Sequence, residues 1–286
     1  MDCSQFCPVG KLEKVLLATD RSQFSEGAIR EAISFAKACS SRLYAITVLE
    51  TNPEYETIGS NVFEKEEAEA MKYLESVKER AGKEGLMCEI LFHSGVEPYQ
   101  AIVEEAEKLR IDMIVIGRRG RSGLAKLLMG ESAAKVVINA PCKVLVVPKA
   151  ARIGYRNILV ATDGSGHSIA AVQEAVNIAK RCGSRIIALS SIRSDDELEK
   201  AKANVNAVIE LANKEGVTAE GMTPTGRSYN VIVETAGGRG VDLIVMGIPV
   251  KSVLEKFFTG SATEKVIGNA GCAVLIIKGA ESPATV

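Results

Sequence analysis

The sequence predicts an α/β protein built as two tandem doubly wound domains, each with a five-stranded parallel sheet. Three observations predict it. The chain repeats itself: Lys14-Val15-Leu16-Leu17-Ala18-Thr19-Asp20 matches Asn157-Ile158-Leu159-Val160-Ala161-Thr162-Asp163 at an offset of 143 residues. Within each copy, short apolar runs alternate with longer segments of helical periodicity, the pattern of β-α units. Finally, Val15-Leu16-Leu17-Ala18 and Met113-Ile114-Val115-Ile116 are apolar at successive positions, which means burial on both faces and a sheet lying between helix layers.

In the first copy, strands are predicted near 14–19, 43–49, 88–92, 112–116 and 143–147, and helices near 25–40, 63–84, 98–109 and 130–140. The first helix shows its buried face directly. Ala28, Ile29, Ala32, Ile33 and Ala36 recur at helical spacing, and the offset carries them onto Ala171, Val172, Ala175, Val176 and Ala179. Further along the offset falls. Asp112 to Gly117 matches Asp242 to Gly247, and Cys142 to Val147 matches Cys272 to Ile277, both at 130. The second copy therefore lacks a segment, placed mostly between Glu50 and Glu66, where Asn52-Pro53 and Gly59-Ser60 read as loop. Pro148 stops the last strand of the first copy and Arg156-Asn157 opens the second, so the domains are divided as 1–149 and 150–286.

Composition excludes several classes of function. A net charge of -1 supplies no field for nucleic acid or an anionic membrane, and with no Trp and 5% aromatics, base-stacking platforms are scarce. No apolar run reaches the length of a membrane span, and the polar start of the chain does not resemble a signal peptide, so a cytoplasmic protein is expected. The seven cysteines do not suggest a disulfide framework. Cys39, Cys142, Cys182 and Cys272 sit in or beside apolar elements, as reduced Cys does, and Cys3 and Cys7 read as two thiols on a loose end.

Doubly wound sheets bind ligands beyond the carboxyl ends of their strands, where the strand order reverses. Three places there draw attention in both copies. Asp20 and Asp163 end the first strand, placed either to cap the next turn or to accept a hydrogen bond from a ligand. A glycine-rich loop follows the fourth strand. It runs Gly117-Arg118-Arg119-Gly120 to Gly130-Glu131-Ser132 in copy one, and Gly247-Ile248-Pro249-Val250 to Gly260-Ser261 in copy two. Glycines admit close backbone approach, a helix start attracts anions, and the arginines would meet phosphate. The third place is the main chain after the second strand, at Val48 and Ser191, where an adenine edge could pair. Of the two histidines, His167 reads as a solvated loop residue, with phosphate contact as the alternative.

At these residues the chain resembles the universal stress protein family in its tandem form. The family's loop pattern is G-x2-G-x9-G-[ST]. Gly117, Gly120 and Gly130 reproduce the glycine spacing in copy one, with Glu131 at the hydroxyl position; copy two has Gly247, Gly260 and Ser261, with Val250 at the middle glycine. The resemblance implies a Rossmann-like, adenine nucleotide alpha hydrolase-like fold that binds AMP or ATP, with Mg²⁺ accompanying ATP. By position it implies Asp20, Val48, Gly117, Arg119, Gly120, Gly130, Glu131 and Ser132 as nucleotide-binding in copy one, and Asp163, Ser191, Gly247, Gly260 and Ser261 in copy two. A carboxylate at Glu131 favours AMP over ATP, and Val250 would be strained at positive φ. The family also pairs its last strands, which implies intramolecular pairing of Val144–Val147 with Val274–Ile277, and a homodimer beyond it. No catalytic residue and no metal site is expected. The alternatives are a slow ATPase, against which the missing P-loop and His/Cys metal cluster count, and a ligand-free scaffold, which the departures at Glu131 and Val250 would favour.

Overall fold

The computed structural model describes residues 7–51, 60–119, 129–250 and 261–279. Contacts divide the chain into two units: Leu12–Lys149, and Ala150–Val286 together with the segment ending at Lys11. The first repeat runs β1 (Lys14–Ala18), α1 (Glu26–Cys39), β2 (Arg42–Glu50), α2 (Ser60–Lys83), β3 (Cys88–Gly95), α3 (Pro98–Leu109), β4 (Met113–Gly117), α4 (Glu131–Asn139) and β5 (Lys143–Val147). The second runs β6 (Asn157–Ala161), α5 (Gly166–Cys182), β7 (Arg185–Leu189), α6 (Leu198–Lys214), β8 (Ala219–Met222), α7 (Ser228–Gly238), β9 (Leu243–Pro249), α8 (Ala262–Asn269) and β10 (Ala273–Gly279).

Strand order in the first repeat is β3-β2-β1-β4-β5, all parallel. The order reverses between β1 and β4, which fixes the switch point beyond their carboxyl ends. The second repeat has the same plan, in the order β10-β9-β6-β7-β8. Burial follows the sequence pattern. Val15, Leu16 and Leu17 are wholly buried, as are Ala28, Ile29, Ala32 and Ala36 on the inner face of α1. Helices stop where the backbone turns left-handed, at Ser40 after α1, Arg110 after α3 and Gly183 after α5.

The repeated Asp112 and Asp242 prove to be structural. Asp112 Oδ2 accepts the N–H groups of Glu13 and Lys14 at 2.8 and 2.9 Å, fixing the start of β1. Asp242 Oδ2 likewise accepts the Arg156 N–H, at 3.0 Å, ahead of β6. Burial pushes the Asp242 carboxyl above its ordinary value despite these bonds.

Two expectations are corrected. The length difference between the copies is not confined to a loop, because α2 begins at Ser60 and has 24 residues against 17 in α6. Glu64-Lys65-Glu66-Glu67-Ala68 favours helix strongly and draws Ser60–Glu66 into α2. Asn52-Pro53 and Gly59 lie outside the described residues. The second correction concerns sulfur. Cys7, Cys39 and Cys182 are disulfide-bonded, whereas Cys88, Cys142 and Cys272 remain thiols. Cys39 and Cys182 are the last residues of α1 and α5, and an apolar neighbourhood at a helix end accepts a disulfide as readily as a thiol. Cys3 lies outside the described residues.

Candidate nucleotide site

At the switch point of the first repeat lies a cavity of about 480 Å³, within the range of small-ligand pockets. Asp20, Val48, Gly117, Arg119, Gly130, Glu131 and Ser132 all border it. Gly120 lies outside the described residues.

Asp20 follows β1 and is held from one side only. Its Oδ1 accepts the Ser22 N–H at 3.1 Å and the Ser25 hydroxyl at 2.7 Å. Its Oδ2 is buried with no partner among the described residues. Capping of the next turn falls instead to Ser22, whose hydroxyl accepts the Phe24 N–H at 3.2 Å. The carboxylate thus accepts from the turn through one oxygen and keeps the other without a partner among the described residues.

Val48 supplies main chain. Pairing of β1 with β2 closes where the Thr19 N–H donates to the Ile46 carbonyl at 3.0 Å. Alternation along a strand then turns the N–H and C=O of Val48 to the same side, past the end of β1 and into the opening. Gly117 ends β4 and lies against the chain after β1: a Cβ there would stand 3.2 Å from the Phe24 carbonyl oxygen.

The opposite end is built for negative charge. Gly130 caps α4 with no side-chain bond, leaving the first-turn N–H groups of residues 131–133 without helical partners. Its own N–H donates to the Arg118 carbonyl at 2.9 Å, so residues 118 and 130 close the loop at its base. Arg119 borders the cavity with its Nε buried and unpartnered among the described residues. Burial, and then the charge of Arg119, hold the Arg118 guanidinium below its ordinary value.

Sequence reasoning missed Lys135, which also borders the cavity. Its Nζ meets Glu97 at 2.8 and 3.0 Å and Glu131 at 2.9 Å, and lies 5.2 Å above the Tyr99 ring. Hydrogen bonds donated to Glu97 and then to Glu131 raise its pKa. The signal was present as an i,i+4 pair of Glu131 with Lys135, but Glu97 comes from another helix.

The second repeat places its candidates differently. Asp163 is exposed, and its Oδ1 takes the Ser165 hydroxyl at 2.5 Å and the Ser165 N–H at 3.0 Å. Partial desolvation of its oxygens by the neighbouring turn pushes this carboxyl up, but the Ser165 and Ser168 hydrogen bonds and the nearby His167 outweigh it, leaving the pKa lowered. Ser191 Oγ donates to Ser228 Oγ at 2.7 Å, and just beyond it the Ile192 N–H and C=O pair with Pro224 and Gly226. The space over Gly247 is taken by the first turn of α5, since a Cβ there would stand 2.0 Å from the His167 carbonyl oxygen. Asn204 fills the space beside Gly164 in the same way, at 2.5 Å.

Ser261 accepts the Glu264 N–H at 3.1 Å and caps α8, a bond that uses an oxygen lone pair and not the hydroxyl proton. Gly260 lies outside the described residues. Two further readings change. Val250 is not at positive φ; β9 runs on to Pro249, and the Val250 N–H donates to the Gly279 carbonyl at 3.2 Å. His167 is a half-buried residue in the first turn of α5, its Nε2 3.0 Å from Ser165 Oγ, and not a solvated loop residue.

Comparison with known proteins agrees with the repeat. A profile of the universal stress protein family matches twice, over residues 11–148 and 154–278. Universal stress protein MJ0531 of Methanocaldococcus jannaschii is 37% identical over 145 residues, covering 48% of this chain and 82% of the relative. Universal stress protein Sll1388 of Synechocystis is 30% identical over 149 residues, covering 47% of this chain and 96% of the relative. A universal stress protein structure from Archaeoglobus fulgidus superposes with a TM-score of 0.80 at 21% identity, covering 94% of this chain and 97% of that one, a likeness of fold. The chain belongs to the universal stress protein family and carries two copies of its domain.

Proposed function

We propose that the first repeat binds an adenine nucleotide, AMP or ATP, and that the protein serves a stress-response or signalling role by binding without turnover. The observation that carries this reading is the unpartnered Asp20 Oδ2, buried at one end of a cavity whose other end is the uncapped start of α4. An orphaned buried acceptor costs about 1–3 kcal/mol, which a donor from the ligand recovers. Nucleoside hydroxyls or the adenine amine supply such donors, and the main chain of Val48 offers the pairing edge a base requires. The α4 N–H groups and Arg119 suit phosphate. Mg²⁺ would enter only as the counterion of ATP.

In the second repeat, His167 and Asn204 occupy the space beside Gly247 and Gly164, which supports binding in the first repeat alone. Among the described residues no helix is long and apolar enough to cross a membrane. Cytoplasmic location, homodimer formation, and independence from nucleic acid and membrane belong to the same proposal. The test is to denature the purified protein and separate the supernatant by ion exchange, then to titrate the emptied protein with AMP and with ATP plus Mg²⁺. Released or saturably bound AMP or ATP with no ADP or phosphate formed is the expected result. Failure of both nucleotides to bind overturns the proposal, and steady product formation overturns its non-catalytic part.

A further inference from the structure

The rim of the cavity carries more negative charge than an anion site needs. Glu97, at the start of α3, and Glu131, in the first turn of α4, both grip Lys135, the one lysine among the described residues that border the cavity. Arg21, another bordering cation, is committed to Glu66 of α2 at 2.5 Å. That leaves Arg119 as the bordering cation without a side-chain partner among the described residues.

The second repeat provides an internal comparison. At the offset of 130, Lys135 becomes Lys265 and Tyr99 becomes Tyr229, and Lys265 lies over its ring at the same 5.2 Å. The two acids are not kept: Glu97 becomes Arg227 and Glu131 becomes Ser261. The lysine-on-tyrosine packing therefore stands without either carboxylate. The trio changes from a net charge of minus one in the first repeat to plus two in the second. A pair of acids dispensable for packing, set beside a phosphate-binding helix start, acts on the charge of what binds.

We propose that Glu97 and Glu131 make the first-repeat site select a nucleotide with one phosphate over one with three, with Glu131 the specificity-determining residue. The inference rests on reading the cavity as an adenine-nucleotide site. The first phosphate is drawn to the α4 N–H groups and Arg119. Each further phosphate adds negative charge beside two carboxylates whose lysine is already shared. Glu131 is 79% exposed, so its repulsion acts through a nearly aqueous medium and amounts to about five- to tenfold in affinity.

The experiment is calorimetric titration of the full chain with adenosine, AMP and ATP, without divalent cations, for the natural protein and for Glu131→Ser. AMP should bind about tenfold or more tighter than ATP in the natural protein. Glu131→Ser should tighten ATP by about five- to tenfold relative to AMP. A melting curve of each protein separates this role from a structural one. Equal affinity for AMP and ATP in the natural protein overturns the selectivity while leaving nucleotide binding in place. So does an unchanged AMP-to-ATP ratio in Glu131→Ser, whether or not its melting temperature falls. Absence of binding by adenosine and AMP alike overturns the underlying reading and this inference with it.

Discussion

Asp20→Asn changes one atom at the centre of the site and separates binding from folding. The carboxylate makes two internal bonds through Oδ1, to Ser22 and Ser25, and leaves Oδ2 open. An asparagine that places its carbonyl oxygen at Oδ1 keeps both internal bonds. Its amide then occupies Oδ2, where an acceptor becomes a donor facing a donor of the ligand. A hydrogen bond to a charged group contributes about 1.5–3 kcal/mol, so AMP affinity should fall by about 10- to 100-fold. Asp20 is half-buried, which favours the lower end of that range. Stability should change by about 0.5 kcal/mol or less, since the turn after β1 is preserved. Titration with AMP beside a melting curve reads both quantities. Affinity within twofold of the natural protein, with unchanged melting, would refute the assignment of Oδ2 to ligand.

The remaining predictions concern the second repeat and the cysteines. Gly247→Ala should destabilise the second repeat by about 1–3 kcal/mol or more, because the new methyl meets main chain of His167. AMP binding should survive in that variant, and loss of binding with a fully folded first repeat would contradict the placement of the site. Reducing the disulfides that engage Cys7, Cys39 and Cys182 should lower the melting temperature, since a disulfide contributes about 2–4 kcal/mol. Identical melting with and without reductant, in protein shown by mass to be oxidised, would contradict it. Cys88 and Cys272, pushed up by burial to about 11 and about 12, should resist alkylation at about pH 8 in the native protein. Prompt labelling of either would contradict their burial.

The fold was legible because its signals are local and doubled. Successive apolar residues such as Leu16-Leu17 mark a strand buried on both faces, and the same run at Leu159-Val160 removes the ambiguity of a single short run. Asp20, Val48, Gly117 and Gly130 were legible as candidates because each stands near the carboxyl end of a strand or at a helix start, where the topology must open a crevice, and all four border the cavity. What escaped notice depends on distant pairings. Glu97 reaches Lys135 from the start of another helix, so no spacing rule announces the pair. In the second repeat the candidate residues carry internal contacts that spacing does not announce. A serine at the helix start reads as a phosphate ligand, and only the structure shows Ser261 also capping its own helix by accepting the Glu264 N–H. Steric closure by His167 over Gly247 is likewise invisible until the backbone is placed.

The central claim is that one adenine-nucleotide site lies in the first repeat, beside Asp20. Calorimetric titration of the full chain with AMP tests it most directly, run in parallel on Asp20→Asn and on Asp163→Asn. The account predicts one saturable site per chain, largely lost in Asp20→Asn and retained in Asp163→Asn. Absence of saturable binding, or loss confined to Asp163→Asn, would contradict it.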